Sequence, residues 1–195
     1  MKTKIIILLL VAATLVNCSK DEEVKIIYAE ENPLMGYLAN TGFNQYTSNY
    51  INGLYSFEFG YRFKPITKGT INGVTFKIPD DANNIKVTIW DVSTKLPLKV
   101  FTIPTAQAGV ELTHRIAPLA IDPTKEYIVS FYGNDYYSRK KINSENANYP
   151  IRAGNIDITG FAIISYNDAN NEPYSSEINY NIYEGDLSII FQRTE

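Results

Sequence analysis

The segment Tyr55-Ser56-Phe57-Glu58-Phe59-Gly60-Tyr61-Arg62-Phe63 decides the fold class. Its aromatic residues occupy every second position, while small, polar or charged residues fill the positions between them. Successive side chains of a β-strand point to opposite faces of the sheet. The alternation therefore predicts a half-buried strand whose inner face is aromatic.

Similar patterns follow this segment along the chain. They predict strands over residues 74–78, 85–89, 96–103, 110–116, 126–132, 156–166, 178–183 and 187–191. Prolines lie at the ends of these segments or in turns, where a strand tolerates them. Short strands separated by Gly, Pro, Asn and Asp predict an all-β fold, an antiparallel β-sandwich of jelly-roll or immunoglobulin-like type. We expect a single domain over residues 34–195, in which residues 34–53 form either a short irregular element or an edge strand.

The first residues resemble a bacterial lipoprotein signal. Lys2 and Lys4 precede an apolar stretch over residues 5–16, which is too short to cross a bilayer of roughly 30 Å as a helix. This pattern predicts a secretory signal peptide over residues 1–17. Leu15-Val16-Asn17-Cys18 resembles the lipobox, in which the cysteine takes a lipid and becomes the new N-terminus, although Asn17 departs from the usual small residue.

The acidic stretch after Cys18 resembles the surface-export signal of lipoproteins in the Bacteroidetes group. We therefore expect residues 18–33 to be a tether that joins the lipid anchor on Cys18 to the domain. The expected location is the outer membrane, with the chain exposed on the cell surface. A periplasmic orientation is the alternative.

Charge and cysteine content exclude some partners and some sources of stability. Loss of residues 1–17 removes two of the 18 basic residues and leaves 16 against 21 acidic residues, a net charge of −5. Nucleic acid is not an expected partner, because phosphate binding needs clustered Lys and Arg. Cys18 is the only cysteine, so no intramolecular disulfide forms and the core must supply the stability.

Four segments in the middle of the chain resemble a β-sandwich domain family of unknown function. They are Phe59-Gly60-Tyr61-Arg62-Phe63, Gly69-Thr70-Ile71-Asn72-Gly73-Val74-Thr75-Phe76, Val87-Thr88-Ile89-Trp90-Asp91 and Tyr127-Ile128-Val129-Ser130-Phe131-Tyr132. The family occurs in secreted and surface-anchored bacterial proteins, often beside carbohydrate-active modules. The resemblance covers about residues 54–152 and implies a sandwich of the carbohydrate-binding-module type. It brings no catalytic or ligand residues with it.

The sequence offers no catalytic motif. His114 is the only histidine, and neither a nucleophile elbow nor a phosphate-binding glycine loop occurs. His114 shares its parity with Val110, Leu112 and Ile116, which favours a histidine packed on a strand over a catalytic one. We therefore predict that the chain is not an enzyme and takes no cofactor.

Acidic residues suggest two further sites, neither of which we favour. Asp91, Asp135 and Glu184 could supply the carboxylate pair of a glycoside hydrolase, but the sequence does not place two of them across a cleft. Asp168-Ala169-Asn170-Asn171-Glu172 offers oxygen ligands for calcium at alternate positions. It lacks the glycine and spacing of an EF-hand, so a solvated turn is the preferred interpretation and no metal site is predicted.

Aromatic residues supply the binding hypothesis, since the chain has fifteen Tyr, nine Phe and one Trp. A sugar ring stacks its C–H face on an aromatic ring, while its hydroxyl groups need polar partners. The candidate ligand residues are Trp90, Tyr132, Tyr136, Tyr137, Tyr149 and Arg152. For Trp90, whose parity differs from that of Ile85, Val87 and Ile89, packing within the sandwich is favoured over stacking on a ligand. We expect Tyr132, Tyr136, Tyr137 and Tyr149 to lie in loops, and such loops suit a protein partner equally well.

Three functions from different classes remain at this stage. The first is a non-catalytic surface lipoprotein whose sandwich domain holds a glycan or similar extracellular ligand. The second is a structural or assembly component that docks a partner protein through an apolar patch or an open sheet edge. The third, a carboxylate-dependent glycoside hydrolase, is the least favoured.

Overall fold

The computed structural model describes residues 26–51, 57–141, 145–165, 177–179 and 182–195. The described residues form one helix, α1 (Pro33–Thr41), and fourteen strands. The strands are β1 (Glu30–Glu31), β2 (Gln45–Tyr50), β3 (Phe57–Pro65), β4 (Gly69–Lys77), β5 (Ala82–Asp91), β6 (Leu96–Ala106), β7 (Leu112–Ile121), β8 (Tyr127–Gly133), β9 (Asp135–Lys140), β10 (Ile151–Ala153), β11 (Ile156–Ser165), β12 (Glu177–Asn179), β13 (Ile182–Glu184) and β14 (Asp186–Arg193).

The strands form two large sheets and one small one, and every pairing is antiparallel. The first large sheet has the order β1-β14-β4-β7. The second has the order β10-β11-β3-β8-β5-β6, with β12 also paired to β11. The small sheet has the order β13-β9-β2. The predicted all-β antiparallel sandwich is therefore confirmed.

The core lies between the two large sheets. The ring centroids of Phe76 and Phe131, which come from opposite sheets, are 4.8 Å apart. The backbone N–H of Ile189 donates to the hydroxyl of Tyr61 across the same layer, at 3.1 Å. Burial of such large rings is the main source of stability in a domain without disulfides.

Strand β3 contains the described part of the alternating aromatic segment. Phe59, Tyr61 and Phe63 are fully buried in the core, and Phe57 at the strand start is half-buried. The aromatic inner face predicted for this strand is therefore confirmed. Glu58, between two core residues, lies on the opposite face and is also buried.

Residues 34–53 contain both a helix and an edge strand. Pro33 begins α1, where its missing N–H leaves no helical bond unmade. Leu34 and Tyr37 of α1 are buried in the core. Gly42 ends the helix with φ of 69°, a conformation that glycine adopts without strain, and its N–H donates to the Leu38 carbonyl. The chain then enters β2 at the edge of the small sheet.

Strand β9 is the main element absent from the sequence prediction, which treated the tyrosines after Tyr132 as loop residues. It pairs with β2 on one side and with β13 on the other. Both partners are distant in sequence, so local patterning carries no signal for them.

The described part of the predicted tether contacts the sandwich. Glu30 and Glu31 of β1 pair with β14, and the guanidinium carbon of Arg193 lies 3.8 Å from the ring centroid of Tyr28. Residues 1–17 and Cys18 lie outside the described residues, so the signal peptide and lipid anchor stay predictions. The described residues contain no helix with the length and apolar character needed to cross a membrane.

Candidate functional site

The small sheet presents tyrosines on one of its faces. Tyr46 and Tyr50 share the same parity in β2, and Tyr137 lies on the same face of the neighbouring β9. The side chains of Tyr46 and Tyr50 are 59% and 62% exposed, respectively. We call Tyr46, Tyr50 and Tyr137 the tyrosine face. Within the described residues, the hydroxyl groups of Tyr46 and Tyr50 make no hydrogen bond.

Ring contacts fix the orientation of two members of the tyrosine face. Tyr46 and Tyr137 meet edge to face, with centroids 5.6 Å apart and an interplanar angle of 83°. The guanidinium carbon of Arg139 lies 5.3 Å from the Tyr46 centroid, and Nζ of Lys77 lies 5.5 Å from the Tyr137 centroid. Such contacts are worth about 0.5–1.5 kcal/mol each. They hold the rings in place before any ligand arrives.

An ion pair joins the tyrosine face to the sandwich. Arg139 donates from Nε and Nη2 to the two carboxylate oxygens of Asp186, at 2.7 and 2.5 Å. Asp186 is nearly inaccessible and begins β14, a strand of the first large sheet. These hydrogen bonds raise the pKa of the Arg139 guanidinium further above its ordinary value. A planar two-point contact fixes position more strictly than a single contact does.

Polar groups surround a pocket of about 460 Å³ in the small sheet, lined by Asn44, Tyr46, Thr47, Ser138 and Lys140. By register, Thr47, Ser138 and Lys140 lie on the face opposite the tyrosine face, so this pocket is separate from it. Next to it, burial raises the pKa of Glu184, an effect opposed by a hydrogen bond from Ser138 and by the charge of Lys140.

Two of the predicted ligand residues, Tyr136 and Tyr137, are neighbours that lie on opposite faces of β9. Tyr137 belongs to the tyrosine face and is half-exposed. Tyr136 is buried, and its ring stacks on Phe59 with centroids 4.3 Å apart. Burial raises the pKa of Tyr136 to about 12. Only Tyr137 is therefore placed to meet a ligand from solvent.

Trp90 lies on the outer face of the second large sheet, away from the small sheet, and only 4% of it is exposed. Its indole Nε1 donates to Oε2 of Glu58 at 3.2 Å and to Oγ of Ser130 at 3.0 Å. Trp90 is thus packed within the fold, the interpretation favoured for it over stacking on a ligand. A buried indole needs a partner for its N–H, and packing is the arrangement observed.

Tyr132 is on the same outer face, and 41% of it is exposed. Nζ of Lys86 lies 5.3 Å from its ring centroid and 2.8 Å from Oε1 of the buried Glu58. Tyr132 therefore does not join the tyrosine face, which belongs to another sheet.

Tyr149 and Arg152 each contact residues of the same chain. The hydroxyl of Tyr149 lies 2.7 Å from that of Tyr37, and the two rings are nearly parallel. Arg152 is exposed and makes two hydrogen bonds to Asp157 across the β10–β11 pair. The predicted ligand residues are thus dispersed over three regions of the fold.

His114 and the candidate carboxylates do not assemble into a shared site. His114 is half-buried and stacks on Phe101, with centroids 5.4 Å apart, as expected for a histidine packed on a strand. Asp135 and Glu184 lie on opposite faces of the small sheet by register, and Asp91 lies in another sheet. Within the described ranges, no three His, Cys, Asp or Glu side chains are grouped to hold a metal. The candidate calcium segment, residues 168–172, is outside those ranges.

Tyr46 and Tyr50 are the candidate site residues that sequence reasoning missed. The alternation of Tyr46, Ser48 and Tyr50 resembles that of the aromatic segment in β3. It is short and flanked by Asn, Gly and polar residues, which favour an irregular element as much as an edge strand. The period of two in these residues is the signal that predicts their common face.

The fold and the exposed tyrosines define an all-β sandwich domain with an aromatic surface. The chain belongs to the family described as "Domain of unknown function (DUF4082)", which matches residues 41–182. The match is wider than the resemblance over residues 54–152 and includes strands β2 and β9 of the tyrosine face. No curated protein matches the chain.

Proposed function

We propose that the chain is a non-catalytic binding protein whose tyrosine face holds an extracellular glycan. The observation that supports the proposal best is the pair of exposed rings, Tyr46 and Tyr50, on one face of β2. An exposed aromatic face offers the C–H side of a sugar a stacking surface. Ser48 and Asp135 lie on the same face by register and offer polar groups to sugar hydroxyl groups.

The proposal includes the location predicted from the sequence. A lipid on Cys18 would hold the domain on the outer membrane, where a face turned to the medium meets polysaccharides. Cys18→Ala tests this part separately. The variant is expected to lose incorporation of a labelled fatty acid and to leave the membrane fraction, and unchanged labelling would contradict the anchor.

Glycan binding is tested with the full chain in detergent on a broad glycan and polysaccharide array. We expect saturable binding that Tyr46→Ala reduces at least about tenfold, since the ring contributes both stacking area and orientation. Tyr132→Ala is the matched control, because it removes an exposed tyrosine from another sheet. Thermal unfolding of each variant establishes that it is folded.

Two outcomes would overturn the glycan proposal. If no glycan on the array binds, glycans are excluded as the ligand class. Binding that Tyr132→Ala abolishes and Tyr46→Ala leaves intact would move the site to the outer face of the second large sheet.

Docking of a partner protein is the second candidate function, favoured by a separate surface. Strand β6 is at the edge of the second large sheet and exposes Leu96, Leu98 and Val100, with a register shift at Leu98. Exposed apolar side chains on an edge strand are a common docking surface. The test is cross-linking of the lipidated chain on intact cells. Loss of a specific cross-linked partner in Leu98→Lys but not in Tyr46→Ala would favour docking over glycan binding.

A further inference from the structure

Resting on the proposed function, we infer that the tyrosine face binds an internal stretch of a neutral, linear polysaccharide laid along β2. The inference concerns the shape and charge of the ligand. It excludes recognition of a chain end and of a strongly charged glycan.

The spacing of the exposed rings indicates an extended ligand. Tyr46 and Tyr50 are four residues apart in one strand, so their Cα atoms are separated by about 14 Å at roughly 3.4 Å per residue. The side chain between them on this face is Ser48, which is small and exposed. A single sugar ring cannot stack on both tyrosines at once, whereas several linked rings can.

The openness of the face favours internal sugar units over a chain end. A ligand end is recognised by a concave site that encloses most of its surface. Tyr46 and Tyr50 are each more than half exposed.

Charges of both signs lie around the face. Arg139 is paired with Asp186, and Lys77 lies over the ring of Tyr137. Asp135, which pairs with Tyr50 in register, accepts a hydrogen bond from the Asp80 N–H. An acidic polysaccharide would need a cluster of uncompensated cations, and a neutral one does not.

The two exposed tyrosines are expected to contribute unequally. Tyr46 is fixed by the edge of Tyr137 and by Arg139. Tyr50 has no ring contact within the described residues and must be ordered by the ligand itself. Tyr46 is therefore the anchor for every chain length, and Tyr50 contributes only once the chain is long enough to reach it.

The experiment is a calorimetric titration of the full chain with a length series, disaccharide to hexasaccharide, of the neutral glycan that binds best on the array. Tyr46→Ala is expected to weaken binding of every length. Tyr50→Ala is expected to weaken the hexasaccharide about three- to tenfold and to leave the disaccharide within about twofold. Tyr50→Phe keeps the ring and is expected to bind like the original chain. Raising the salt concentration should change the affinity by less than about twofold.

The outcomes separate this inference from the proposed function. If Tyr50→Ala weakens binding of every oligosaccharide length equally, or of none, the extended track is wrong while glycan binding stands. The same conclusion follows if capping the ends of the oligosaccharide abolishes binding. A steep loss of affinity with salt would overturn the neutral ligand alone. If no glycan binds, the proposed function fails first.

Discussion

Two tyrosines of the sandwich core and the two exposed tyrosines of β2 differ in what their hydroxyl groups contact. The Tyr61 hydroxyl accepts the Ile189 N–H at 3.1 Å, and the Tyr127 hydroxyl accepts the Asp122 N–H at 2.9 Å. Tyr46 and Tyr50 make no such bond within the described residues and expose their rings. A buried hydroxyl without a partner is costly, whereas an exposed one bonds to water. Burial and a hydroxyl partner thus distinguish Tyr61 and Tyr127 from the exposed Tyr46 and Tyr50.

The largest expected effect tests the structural side of this comparison. Tyr61→Ala removes a fully buried ring and is expected to lower the free energy of unfolding by about 3–5 kcal/mol. Tyr61→Phe keeps the ring but leaves the Ile189 N–H unpaired, for an expected loss of about 1–3 kcal/mol. Urea denaturation measures both. An unchanged free energy in Tyr61→Phe would show that the hydroxyl partner is not what holds this tyrosine.

A second, smaller effect concerns the outer face of the second large sheet. Glu58 is fully buried and accepts hydrogen bonds from Trp90 and Ser130. Glu58→Ala is expected to lower the free energy of unfolding by about 2–3 kcal/mol, because Ser130 and Lys86 lose a partner and Trp90 loses one of its two acceptors. Trp90 is the only tryptophan, so its fluorescence reports the same change directly.

The control for Glu58→Ala removes a glutamate that forms an ion pair at the surface. Glu30 pairs with Arg115 at the surface, and surface pairs contribute about 0–1 kcal/mol. Glu30→Ala is therefore expected to unfold almost like the original chain. Equal losses in Glu58→Ala and Glu30→Ala would contradict a structural role for the buried network.

Much of the sandwich could be predicted from the sequence, because alternation within one strand is a local signal. Phe59, Tyr61 and Phe63 lie in the core as their parity predicts. Strand β9 was missed because its partners, β2 and β13, come from distant parts of the chain. Local polarity around Tyr136 and Tyr137 suggested a loop, and pairing overrode it.

The candidate site was harder to predict than the fold. Composition indicated that tyrosines matter, and Tyr137 was among the residues named from sequence. Only the register of β2 against β9 brings Tyr46 beside Tyr137 and Arg139. Trp90 had the outward parity that we assigned to it, yet it is buried. Parity specifies a face, whereas exposure depends on what covers that face.

A third effect depends on pH and involves Asp91. Its carboxylate accepts hydrogen bonds from Ser93 and Lys125, which hold its pKa well below the usual 3.8. A lowered pKa means that this stabilisation is present above pH 3.8 and is lost as the pH falls towards the folded-state value.

The prediction for Asp91 concerns how the stability of Asp91→Asn and that of the original chain change with pH. Asp91→Asn is expected to be less stable than the original chain at neutral pH, and the gap should narrow as the pH falls below about 3.8. Thermal unfolding across this range measures it. Burial raises the pKa of Asp135 and Glu184, so their contributions have the opposite sign. A gap that stays constant with pH would contradict the assigned role of Asp91.

The smallest expected effect is on the free energy of unfolding of Tyr50→Ala. It is the strictest test of the comparison between structural and exposed tyrosines, because almost no change is expected. Tyr50 is 62% exposed and has no ring contact within the described residues, so Tyr50→Ala should change the free energy of unfolding by less than about 0.5 kcal/mol. Urea denaturation run beside Tyr61→Phe measures the contrast between an available tyrosine and a structural one. A loss in Tyr50→Ala as large as that in Tyr61→Phe would mean that Tyr50 stabilises the fold. Its exposed ring would then have a structural role, and the case for an extended glycan track along β2 would lose its second anchor.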